Sequence, residues 1–66
     1  MGSHISISPN LVDIFVKRCP YPMVERGDRW ICATEDYTII IYKKTGFIIV
    51  TGPEELKKKI KKMCEI

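Results

Sequence analysis

Apolar residues crowd one stretch of the chain, from Arg29 to Gly52: RWICATEDYTIIIYKKTGFIIVTG. β-Branched and aromatic residues dominate it, and no helical period or cap organises a run such as Ile39-Ile40-Ile41. The pattern predicts three strands in a meander: Arg29–Thr34, Thr38–Tyr42 and Phe47–Thr51. Glu35-Asp36 forms the first corner and Lys43-Lys44-Thr45-Gly46 the second, with Gly46 supplying the turn.

Side chains alternate faces along a strand. Alternation gathers Trp30, Cys32, Thr34, Thr38, Ile40, Tyr42, Phe47, Ile49 and Thr51 on one face. It gathers Ile31, Ala33, Ile39, Ile41, Ile48 and Val50 on the other. The second set is wholly aliphatic and is expected under helices. The first mixes aromatics, threonines and aliphatics, and such a face either takes a cover or binds something.

The flanks supply the cover. Ile5 and Ile7 alternate with Ser6 and Ser8, which predicts a short strand over Ile5–Ser8. Ser8-Pro9 then opens a helix with Leu11, Val12, Phe15 and Val16 at helical spacing, and Cys19-Pro20 closes it. Pro20-Tyr21-Pro22 is a stiff connector, and Glu25-Arg26-Gly27-Asp28 reads as a turn before the meander. Gly52-Pro53-Glu54-Glu55 opens a second helix, with proline in the first turn and carboxylates where the dipole favours them. Its apolar stripe is Leu56, Ile60, Met63 and Cys64, and lysines fill the other sides. The expected fold class is α+β: a two-layer domain in which two helices cover one face of a curved antiparallel sheet.

Composition bounds the rest. Sixty-six residues make one small domain with a modest core. Residues 1–4 have the look of a cloning remnant, which leaves 5–66 as the domain. The apolar runs are too short for a membrane span and no secretory segment is evident, so the expected location is the cytoplasm. Abundant Ile, Lys and Glu suggest a thermophilic source. Cys19, Cys32 and Cys64 are odd in number and form no C-x-x-C pair, so they are read as idle thiols. The net charge of +3 favours anionic partners weakly, and the lysines Lys57-Lys58-Lys59 and Lys61-Lys62 concentrate it. That run serves either as a solvated helix face or as a phosphate-binding surface.

Catalysis has little to stand on. The one histidine is His4, and neither a nucleophile elbow nor a phosphate-binding glycine loop is present. Glu35-Asp36 is an acidic pair at a hairpin tip, read as turn chemistry. The expectation is a chain that is not an enzyme and takes no metal or cofactor. Binding is better supported. Trp30, Tyr42 and Phe47 stand on the uncovered face as base platforms, and Arg29, Lys43 and Lys44 at strand ends can reach phosphates. The alternative is a self-association surface or aromatic mini-core on that same face.

The stretch from Thr38 to Gly52, followed by a helix that starts with acidic residues, resembles one repeat of the TATA-box-binding protein. In that family an apolar strand ends in an aromatic, a short turn closes on glycine, and the next strand ends Thr-Gly before a long helix. Arg29-Trp30 is similar to the Arg-Phe pair of the family's preceding strand. The N-terminal substrate-binding domain of ribonuclease HIII is a single-copy form of the same fold and the nearer likeness.

The resemblance implies a non-enzymatic nucleic-acid-binding module for DNA or an RNA–DNA hybrid, used through its concave sheet face. It implies that Trp30 and Tyr42 match the family's paired phenylalanines, and that Thr38, Ile40, Ile49 and Thr51 match its groove contacts. The chain holds one repeat where the TATA-box-binding protein holds two. A homodimer would rebuild the two-repeat saddle, with the strand at Ile5–Ser8 as its seam. The alternative function is a protein-interaction or homodimerisation module with that face buried against a partner.

Overall fold

The computed structural model describes residues 4–64; Met1, Gly2 and Ser3 of the expected remnant and the last two residues of the expected domain lie outside them. Strand β1 spans His4–Ser6, so the sheet begins inside the four residues set aside. A 3-10 turn at Pro9–Leu11 leads into helix α1, Val12–Arg18. Strands β2 (Val24–Arg26), β3 (Arg29–Ala33), β4 (Thr38–Tyr42) and β5 (Phe47–Thr51) follow, and helix α2 (Glu54–Met63) closes the chain. The five strands form one antiparallel sheet in the order β1-β5-β4-β3-β2.

The helices begin and end where local chemistry requires. Pro9 sits in the first turn, where an amide hydrogen would have no partner. Cys19 is extended because Pro20 follows it, and its amide still donates to the Phe15 carbonyl at 2.9 Å. Pro53 caps α2 from outside, one residue earlier than expected, and its carbonyl accepts the Leu56 amide at 3.1 Å. Glu54 and Glu55 occupy the first turn, and Lys61 and Lys62 the last, matching the helix dipole at both ends.

Both helices lie on one face of the sheet. Val12 and Phe15 from α1 and Leu56 and Ile60 from α2 join Cys32, Ile39, Ile41, Ile48 and Val50 in a single buried cluster. Met63 and Cys64 pack against it, which completes the expected stripe of α2. Each fully buried aliphatic contributes about 1.5–3 kcal/mol, so this one layer carries most of the stabilisation a chain of this size can gather. The two-layer α+β architecture expected from the pattern is the observed one.

Two expectations are corrected. Glu25-Arg26 is not turn but strand: β2 pairs with β3, and Gly27-Asp28 alone turns the hairpin, with Gly27 at φ 59°. The larger correction concerns β3. Trp30 pairs with Ile41 and Cys32 with Ile39, so Trp30 and Cys32 lie on the helix side. Ile31 pairs with Ile40 and Ala33 with Thr38, so these two lie on the open side. The cause is the corner. Thr34 donates its amide to the Tyr37 carbonyl at 2.8 Å, and its hydroxyl accepts the amides of Asp36 and Tyr37. Tyr37 is therefore the partner of Thr34, where the predicted faces matched Thr34 with Thr38. A slip of one residue exchanges every side chain of a strand between faces.

Gly46 ties the N-terminal segment to the sheet. It is buried at φ 76°, and its carbonyl accepts the Ile7 amide at 2.9 Å. A β-carbon there would stand 1.9 Å from the Ile7 carbonyl oxygen, so only glycine lets this crossing close. The contact fixes where the chain leaves β1 for α1, and so where α1 lands on the sheet.

Candidate nucleic-acid interface

The face away from the helices is built in rows, because directly paired residues stand side by side across strands. The middle row is Val24, Ile31, Ile40 and Ile49, one residue from each of β2, β3, β4 and β5. These four are aliphatic, and on the β1 side the backbone of His4 pairs with Ile49. Val24 is 53% exposed and Ile49 39%, while Ile31 and Ile40 are half-buried by their neighbours. The row below it is small and hydroxylated: Ala33, Thr38 and Thr51.

The row above is cationic and aromatic. Arg26 pairs with Arg29, and Arg29 with Tyr42. The Arg29 guanidinium lies 5.1 Å from the centre of the Tyr42 ring, within cation–π range. Its Nε also donates to the Asp28 carboxylate at 3.2 Å, which holds that exposed carboxyl below its usual range. Phe47, on β5 beyond Tyr42, is 48% exposed and shares the open face. Lys44 is exposed in the β4–β5 turn at the same end of the sheet.

Of the residues expected to bind, the sheet therefore brings together Arg29, Thr38, Ile40, Tyr42, Ile49 and Thr51, with Lys44 at the rim. Trp30 and Lys43 are corrected: both are on the helix side. Trp30 sits beside Glu25 and Ile41 and packs against the core, with its indole Nε1 buried and unpartnered. The Lys43 ammonium lies 5.2 Å from the Trp30 ring centre and donates to the Glu25 carboxylate. Lys43, Trp30 and Glu25 thus form a cation–aromatic–carboxylate stack that closes the β2 end of the helix layer.

In exchange the face gains Arg26, Val24, Ile31 and Ala33. The signal for Arg26 was present in the sequence. A two-residue Gly27-Asp28 hairpin sets Arg26 opposite Arg29 and so onto the Tyr42 face. Chemically the face offers dry contact along its middle, hydroxyls on one side and charge with stacking on the other.

Among the described residues no group of three or more His, Cys, Asp or Glu could hold a metal ion. No helix among them is long and apolar enough to cross a membrane. No protein-family model, curated protein or solved structure matches the chain.

Proposed function

We propose that the open sheet face is a non-enzymatic nucleic-acid-binding surface, and that the domain is a single repeat of the TATA-box-binding-protein-like fold, nearest to the N-terminal domain of ribonuclease HIII. One observation carries the reading: an uncovered aliphatic row lies directly beside a row of Arg26, Arg29, Tyr42 and Phe47. The guanidinium groups reach phosphates, the rings stack on bases or sugars, and the aliphatic row displaces water from a groove or an unstacked strand. The strand–helix–meander–helix order is the one the resemblance implies, which supports the fold assignment by analogy alone.

A second reading has its own support. Val24, Phe47 and Ile49 leave large apolar surfaces in water, and a chain this short gains by covering them. A protein partner or a second copy would do so.

The test is a titration of the chain with labelled duplex DNA, single-stranded DNA and RNA–DNA hybrid at low and moderate salt. Saturable binding that Tyr42→Ala weakens by about tenfold or more and Ile40→Asp abolishes supports the nucleic-acid reading. Absence of binding to all three at low salt rejects it. Concentration-dependent self-association lost in Ile40→Asp would then establish the second reading.

A further inference from the structure

The helix layer carries a feature that nucleic-acid binding on the opposite face does not use. Two open hollows adjoin one another where the C-terminal ends of α1 and α2 meet. One, of about 260 Å³, is lined by Phe15, Arg18, Pro20, Lys62 and Met63. The other, of about 420 Å³, shares Pro20, Lys62 and Met63 and adds Tyr21 and Lys59. Together they make one groove with an apolar floor and a cationic rim. Among the described residues no carboxylate lines either hollow. Neither ion pair formed among the described residues involves Arg18, Lys59 or Lys62.

The arrangement selects its occupant. Helix C-termini carry partial negative charge of about half a unit each, and α1 and α2 both end nearby. Three full positive charges on the rim exceed that, so the described residues of the groove favour anions. A free phosphate would use the rim and leave the floor wet. A nucleic-acid backbone would do the same. A peptide with an apolar side chain between carboxylates uses both, with the side chain on Pro20, Tyr21 and Met63 and the carboxylates against Arg18, Lys59 and Lys62. We propose that this groove is a docking site for an acidic segment of a partner protein, anchored by one aromatic or branched aliphatic residue. The domain would then hold two ligands on opposite layers.

Helix α2 provides its own control. Lys58 and Lys61 have the same spacing as Lys59 and Lys62 but line neither hollow. The probe is a fluorescein-labelled peptide with one phenylalanine flanked by glutamates, titrated into the full chain while backbone amide NMR shifts are followed. Expected are shifts confined to Phe15, Arg18, Tyr21, Lys59, Lys62 and Met63. Affinity should fall roughly tenfold or more in Lys59→Glu/Lys62→Glu, since each reversal turns an attraction into a repulsion, and far less in Lys58→Glu/Lys61→Glu. Replacing the peptide's phenylalanine by alanine should weaken it as well, and inorganic phosphate should not compete at equal concentration. Equal losses in the two lysine pairs, or indifference to the phenylalanine, overturn the groove and leave a diffuse charge effect. Loss of oligonucleotide binding in Lys59→Glu/Lys62→Glu, with no response to peptide, overturns it in favour of a nucleic-acid contact.

Discussion

The guanidinium of Arg29 and the ring of Tyr42, cross-strand neighbours on the open face, stack with 5.1 Å between the guanidinium carbon and the ring centre. Each holds the other in place, so cation and platform act as one unit. Stacking on a ring contributes roughly 1–3 kcal/mol per base. Tyr42→Ala should therefore weaken oligonucleotide binding by about tenfold or more, with little change in folding. Arg29→Ala should lose part of the same effect, and the double variant should lose less than the sum. Additive losses measured by anisotropy would show that the pair does not act jointly.

Trp30 is the only tryptophan, and it reports on the layer that the open face does not touch. Oligonucleotide binding to the open face should leave its emission nearly unchanged. Emission should instead follow unfolding, and Trp30→Ala should cost about 2–4 kcal/mol by opening the core edge. Strong quenching on addition of oligonucleotide would place the ligand on the helix side.

Gly46 and Gly27 both have positive φ, at 76° and 59°, but only one is crowded. Nothing lies within 4 Å of a β-carbon at Gly27. Gly27→Ala should cost about 1 kcal/mol, the strain of the left-handed region alone. Gly46→Ala meets that strain and the Ile7 carbonyl, and should cost about 3 kcal/mol or more. Urea midpoints that are equal for the two variants would deny the N-terminal crossing its role.

Alkali should weaken the fold. Burial pushes the Cys19 thiol above its ordinary value of 9.0, and burial followed by the neighbouring Cys32 pushes the Tyr37 phenol above 10.0. Both groups hold their protons more tightly folded than unfolded. Their contribution is complete below the ordinary values and is lost as pH rises through the folded ones. Urea midpoints should decline from about pH 9 upward, and decline less in Cys19→Ser and Tyr37→Phe. A flat or rising profile across that range would sink the assignment.

Most of the fold was legible because its signals are local. Pro9, Pro20, Pro53 and Gly46 punctuate the chain, and the stripes Val12-Phe15 and Leu56-Ile60 follow the helical period. The face of β3 was harder. Both of its parities are apolar, Trp30 and Cys32 against Ile31 and Ala33, so composition leaves the phase open. The phase rests on whether Tyr37 or Thr38 answers Thr34, and hydrogen bonds to one threonine hydroxyl decide that. β2 is three residues long, two of them charged, and carries no strand signal of its own. Its pairing is imposed by Gly27-Asp28 and by the edge of β3. The corrected phase removed Trp30 from the candidate site, and with the β2 hairpin it added Arg26, while Lys43 lies behind the sheet because it follows Tyr42, which faces the open side.

Salt dependence separates the two cationic surfaces. The open face carries Arg26 and Arg29, with Lys44 at its rim, and Asp28 already engages Arg29. Lys43 is spent on Glu25 and Trp30 behind the sheet. On duplex DNA each neutralised phosphate contributes a slope of roughly 0.9 in log affinity against log salt. Three cations at most therefore give a slope no steeper than about 3. Arg26→Gln should reduce it by about one, and Lys43→Gln should leave it unchanged. Reversing Lys57, Lys58, Lys61 and Lys62 together should also leave the slope nearly unchanged, because α2 lies on the far layer. A steep slope abolished by those four reversals would move the nucleic acid from the sheet to the second helix.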